Sequence, residues 1–81
     1  MTLTVYLFAT LKDRIGASTV TLEVHEPVTV SDLLIELIRL YPNLQPYKQN
    51  IIVSINKEFA GPSKEICSND EIAIFPPVSG G

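Results

Sequence analysis

The chain has 81 residues, 46% of them hydrophobic and 19% charged, a balance that suits one globular domain with a small core and lies far from that of disordered chains. Nine acidic residues against six basic ones give a formal charge of -3, so there is no basic footprint for a phosphate backbone, and nucleic acid is excluded as an expected partner. Cys67 is the one cysteine and has no internal disulfide partner; no stretch reaches the roughly 20 apolar residues of a membrane span, and the expectation is a cytoplasmic protein with no membrane association.

Residues 2–9, TLTVYLFA, set Leu3, Val5 and Leu7 on one face and Thr2, Thr4, Tyr6 and Phe8 on the other, the alternation of a strand. The apolar run Leu3 to Leu11 lacks a basic flank and a cleavage site, so it reads as core and not as a signal peptide. Phe8 falls on the half-wet face and is a candidate for a partner surface. Lys12, Asp13, Arg14 and Gly16 read as a polar turn with room for one helical turn. STVTLEV, residues 18–24, alternates again with Val20, Leu22 and Val24 inward, and the short connection predicts an antiparallel hairpin with the first strand.

Thr29 with Asp32 three residues later suits a helix N-cap with an acidic residue placed to satisfy free amides and complement the dipole. Val30, Leu33, Leu34, Leu37, Ile38 and Tyr41 follow at the spacing of one apolar helical stripe, and Pro42 ends it. Asn43 to Asn50, with Pro46 inside, reads as a loop. IIVSIN, residues 51–56, is a strand entering a turn at Asn56-Lys57, with Glu58, Phe59 and Ala60 placed to pair back on it. Ser68-Asn69-Asp70 form another turn, and EIAIF, residues 71–75, is the final strand, with Ile72 and Ile74 on one face and Ala73 and Phe75 on the other. The order predicts an α+β fold: one amphipathic helix laid across a mixed sheet of about five strands.

The body, residues 1–75, offers no catalytic constellation. His25, between Glu26-Pro27 and a strand, reads as a solvated loop histidine because no serine or cysteine is placed to use it. Cys67 reads as a small buried or half-buried apolar residue, without basic neighbours to depress its pKa. Asp70-Glu71 reads as a solvated acidic corner that also suits a basic partner surface. No ligand set for a metal and no glycine-rich phosphate cradle is present.

What remains is the tail, residues 76–81, PPVSGG. A terminal glycine carries its α-carboxylate with no side chain to block approach, so such an end can be threaded into a narrow groove of another protein. The carboxylate is a poor electrophile until it is adenylated; the acyl carbon then accepts sulfur to give a thiocarboxylate, or an amine to give an amide. Pro76-Pro77 favours an extended start, and the stretch from Pro76 to Gly81 spans at most roughly 20 Å. A merely frayed terminus accounts for the glycines but not for the prolines that precede them.

The ending EIAIFPPVSGG, residues 71–81, closely resembles the C-terminus of the small, sulfur-carrying subunits of molybdopterin synthase. The resemblance extends over the chain through Phe8-Ala9, the capped helix after Thr29, Asn56 at the end of its strand and the turn before Asp70-Glu71. It implies a ubiquitin-like β-grasp fold and a carrier that supplies no catalytic side chain and binds no cofactor of its own. It also implies a cycle in which a ubiquitin-activating-like adenylyltransferase uses ATP to adenylate Gly81 and a sulfur donor converts it to a thiocarboxylate. The tail then enters the large synthase subunit, in a heterotetramer, and sulfurates the cyclic pyranopterin precursor of molybdenum cofactor. Carried over by position, Gly81 bears the acyl group and the sulfur, and Gly80 is the slim neighbour that lets it pass. Pro76, Pro77, Val78 and Ser79 line the inserted tail, and Phe8 and Phe75 present apolar surface to partners. Asn69 stands where a glycine is common and Lys12 where an arginine is often seen. The alternatives are a carrier serving thiamine or another thio-cofactor, and a ubiquitin-like modifier of lysines.

Overall fold

The computed structural model describes residues 1–77. Five strands form one mixed sheet in the spatial order β2-β1-β5-β3-β4, with β1 Thr2–Leu7, β2 Thr19–Glu23, β3 Ile52–Ile55, β4 Glu58–Phe59 and β5 Ile72–Phe75. β1 pairs antiparallel with β2 and parallel with β5, and β3 pairs antiparallel with both β5 and β4. The last strand therefore lies in the middle of the sheet, flanked by the first and third.

The alternation read from the sequence is what sorts the two faces. Leu3, Val5, Leu7, Val20, Leu22, Val53, Ile55, Ile72 and Ile74 are all buried on the inner face. Across them lies helix α2, Val30–Leu40, which contributes Val30, Leu33 and Leu37 to the same core, with Leu34, Ile38 and Tyr41 packed at its margin. The helix begins as expected: the Asp32 N–H donates to Thr29 Oγ1 (3.2 Å), and Asp32 Oδ2 accepts from the Thr29 N–H (3.0 Å). It ends at Tyr41, whose N–H reaches the Leu37 carbonyl before Pro42 prevents continuation.

Three sequence expectations change. The polar turn after the first strand is a helix, α1, Ala9–Ile15, and β1 stops at Leu7. Ala9 takes a positive φ of 52°, which turns the chain abruptly, and Leu11 then enters the core while the charged residues face water. Gly16, at φ 85°, closes the helix with its N–H on the Lys12 carbonyl, a left-handed position that favours glycine. The loop after Pro42 is a 3-10 helix, Pro42–Tyr47, and its Leu44 is fully buried. Cys67 is exposed, because Ile66 takes the inward position and binds the Val28 carbonyl through its N–H (2.9 Å).

Candidate functional site

With α2 covering one face of the sheet, the other face is left open, and its residues are set by the register. Tyr6 lies beside Ala73, Ala73 beside Ser54 and Ser54 beside Phe59, so one row crosses four strands. The next row places Phe75 beside Ile52. Phe8 follows β1 and precedes α1 with extended backbone, and its ring stacks on Phe75 at a centroid distance of 4.8 Å and an interplanar angle of 12°. An isolated exposed aromatic is ordinary, but several on one face mark a contact surface. Phe8 and Tyr6 are nearly half exposed, and Phe59 is 84% exposed. Phe8, Phe59 and Phe75 enclose a shallow depression with Ala73 and Ser54 in its floor and Lys57 and Glu71 at its rim.

The rim is held by a network around Asn56. Asn56 Nδ2 donates to Asp70 Oδ1 (2.9 Å), Asn56 Oδ1 accepts from the Glu71 N–H (2.9 Å), and the Asn56 N–H donates to the Glu71 carbonyl (2.8 Å). Asp70 Oδ2 also accepts from the Cys67 N–H at 2.8 Å. These bonds, the Cys67 amide first and the Asn56 amide next, hold the Asp70 carboxyl below its ordinary range, with a smaller contribution from the Lys64 ammonium. Asp70 is thus a structural clamp between two turns within the solvent-facing corner expected from the sequence, and Glu71 is exposed. The Asn56-Lys57 turn joining β3 to β4 has φ 54° and 70°, the left-handed pair that a two-residue hairpin needs.

Phe8 and Phe75, the apolar surface residues proposed from the sequence, come together. Pro76 is half-buried at the end of β5 and Pro77 is exposed; Val78, Ser79, Gly80 and Gly81 lie outside the described residues. His25 is exposed in the turn before α2. Among the described residues, no group of three or more His, Cys, Asp or Glu side chains could hold a metal. Sequence reasoning missed Phe59, since β4 has two residues and its register against β3 is not readable from its own pattern.

The comparisons with known proteins fit this geometry. A family model described as the ThiS family matches residues 5–81. A molybdopterin synthase sulfur carrier subunit from Arabidopsis thaliana is 32% identical over 77 residues, covering 95% of this chain and 80% of that protein. Small archaeal modifier protein 1 from Haloferax volcanii is 36% identical over 83 residues, covering 93% of this chain and 95% of the relative. The crystal structure of the Haloferax volcanii protein superposes with a TM-score of 0.84 at 33% identity, covering the whole of both chains. The mixed sheet grasping one long helix is the ubiquitin-like β-grasp, and the chain belongs to the ThiS family.

Proposed function

We propose that the chain is the sulfur-carrier subunit of a molybdopterin synthase, with Gly81 as the residue that bears the sulfur. The observation that carries this reading is the run FPPVSGG, which leaves the central strand β5 at Phe75 beside the stacked Phe8. The similarity to sulfur carrier subunits along nearly the whole chain supports it.

In this reading the Gly81 carboxylate attacks the α-phosphorus of ATP on an activating enzyme and expels pyrophosphate. A sulfur nucleophile at the sulfide level then displaces AMP to leave a thiocarboxylate. The thiocarboxylate sulfur is the nucleophile toward the pyranopterin precursor in the large subunit. Gly80 keeps the approach narrow, and Pro76, Pro77, Val78 and Ser79 form the stalk. The carrier contributes no general acid or base; its body supplies recognition through Phe8, Phe75 and the neighbouring Phe59. ATP belongs to the partner's site, and the setting of this cycle is the cytoplasm.

The experiment is intact mass measurement after incubation with an activating enzyme, ATP and a sulfur source. A gain equal to one oxygen exchanged for sulfur, lost on deletion of Gly81, is the expected result; no change in mass overturns the reading. A second reading, a ubiquitin-like modifier, is favoured by the similarity to small archaeal modifier protein 1. It predicts ladders of carrier-linked proteins in the same incubation with cell extract.

A further inference from the structure

β2 and β4 are the two edges of the sheet, and they are finished differently. β4 is two residues long and bounded by the Asn56-Lys57 turn, which is one of the ways proteins close an edge to further pairing. β2 is five residues long, pairs with β1 in unbroken register, and contains no proline, lysine or bulge. Its residues are mostly β-branched, which favours an extended, regular strand.

The direction of its hydrogen-bonding groups follows from the ladder. Met1 and Val24 exchange both backbone bonds, and the Leu7 N–H donates to the Ser18 carbonyl. In an antiparallel pair the bonded positions alternate, so Leu22 and Val20 face β1 as Val24 and Ser18 do. Thr19, Thr21 and Glu23 therefore turn their N–H and C=O groups away from the sheet. All three residues are exposed.

At its C-terminal end this edge runs into a depression between β2 and α2. Half-buried Val24 and buried Val28 line it, with Asp32 and Glu36 around them and His25 at one side, while the Glu23 carboxylate accepts from the Thr2 hydroxyl on the opposite face of β2. Glu36 is paired with Arg39, and Asp32 accepts the Thr29 N–H, but the carboxylates outnumber the cations here in a chain of net charge -3.

We propose that the free edge of β2 receives an extended segment of a partner protein as an added strand, with lysine or arginine side chains of that segment over Asp32 and Glu36. The backbone groups of Thr19, Thr21 and Glu23 supply the pairing, and the acidic margin supplies the choice of a basic segment. This surface is separate from the aromatic face and from the terminal chemistry, so a carrier can engage both partners at once. The inference does not depend on which sulfur acceptor the chain serves.

The test uses the isotope-labelled full chain and two capped heptapeptides, one alternating lysine with valine and the other glutamate with valine. The lysine peptide is expected to give saturable amide shifts centred on Thr19, Thr21 and Glu23 that weaken steeply as salt is raised, while the glutamate peptide moves none of them. Thr21→Pro removes an outward N–H without touching the ladder to β1 and is expected to lower the lysine peptide's affinity by about tenfold or more. Glu36→Lys keeps every backbone group of β2 and is expected to weaken the same peptide, which preserves the test if the proline variant does not fold. Equal responses to the two peptides overturn the proposal, as do shifts centred on Phe8, Phe59 and Phe75. Edge shifts that follow protein concentration without any peptide assign the edge to a second copy of the chain and overturn it as well.

Discussion

Asn56 is the residue on which the open face depends most. It accepts a left-handed backbone at φ 54°, which asparagine tolerates better than most residues, and its amide ties β3 to the turn before β5. Asn56→Ala leaves the Glu71 N–H and Asp70 Oδ1 without their partner in an unfavourable conformation for alanine. It is expected to cost about 1–3 kcal/mol in urea unfolding. Asp70 supplies a pH signature of the same network. Its carboxyl is held below the ordinary aspartate value of 3.8, so its contribution is fully present above that value and is lost as pH falls through the lowered folded value. The stability gap between the parent chain and Asp70→Asn should therefore be constant near neutrality and close in acid, which thermal melts over a pH series will read. Phe8 makes the opposite kind of prediction, because it is nearly half exposed and stacks on Phe75. Phe8→Ala should cost only about 1 kcal/mol of stability. On the proposed function, its effect on affinity for the large synthase subunit should be larger, about 2 kcal/mol or more by calorimetry, the size expected if the ring lies at the centre of that interface.

Among the elements, those with a clean period were legible and those without one were not. β1, β2 and β5 alternate strictly, and α2 carries both a capping pair and an apolar stripe, so local pattern and tertiary burial agree. α1 was hidden because its apolar residues, Leu11 and Ile15, follow directly on the strand's own run, and the change of period falls at a single residue, Ala9. The 3-10 helix was hidden by polar residues and two prolines around one core leucine. Of the site, Phe8 and Phe75 were visible as outward residues next to the tail, but their contact depends on the parallel pairing of β1 with β5. No local signal states that pairing, since those strands are joined by most of the chain. The burial of Leu44 has a measurable consequence. Leu37 on α2 and Leu44 in the 3-10 helix are both 0% exposed, so Leu37→Ala and Leu44→Ala should each cost about 2–5 kcal/mol. If Leu44 belonged to a solvated loop, its replacement would leave the denaturation midpoint almost unchanged.

For the molecule as a whole, the arrangement of strands bears on the proposed function, in which an inert body serves a reactive end. β5 is both the central strand and the last one, so the segment that leads to residues 76–81 is anchored by ladders on either side. Pulling or threading the end of the chain thus loads a strand that is paired along both edges. Among the described residues, the buried core runs from Leu3 to Ile74. Stability and sulfur transfer should therefore separate cleanly. Deletion of Gly81 is expected to leave the thermal midpoint unchanged within error while abolishing the mass gain of the thiocarboxylate. Leu37→Ala is expected to lower the midpoint sharply, yet the fraction that remains folded should still be thiocarboxylated, because in the proposed function activation reads the end and the aromatic face rather than the core. A Gly81 deletion that unfolds the domain would mean that the end is part of the scaffold, and the division between an inert body and a reactive terminus would fail.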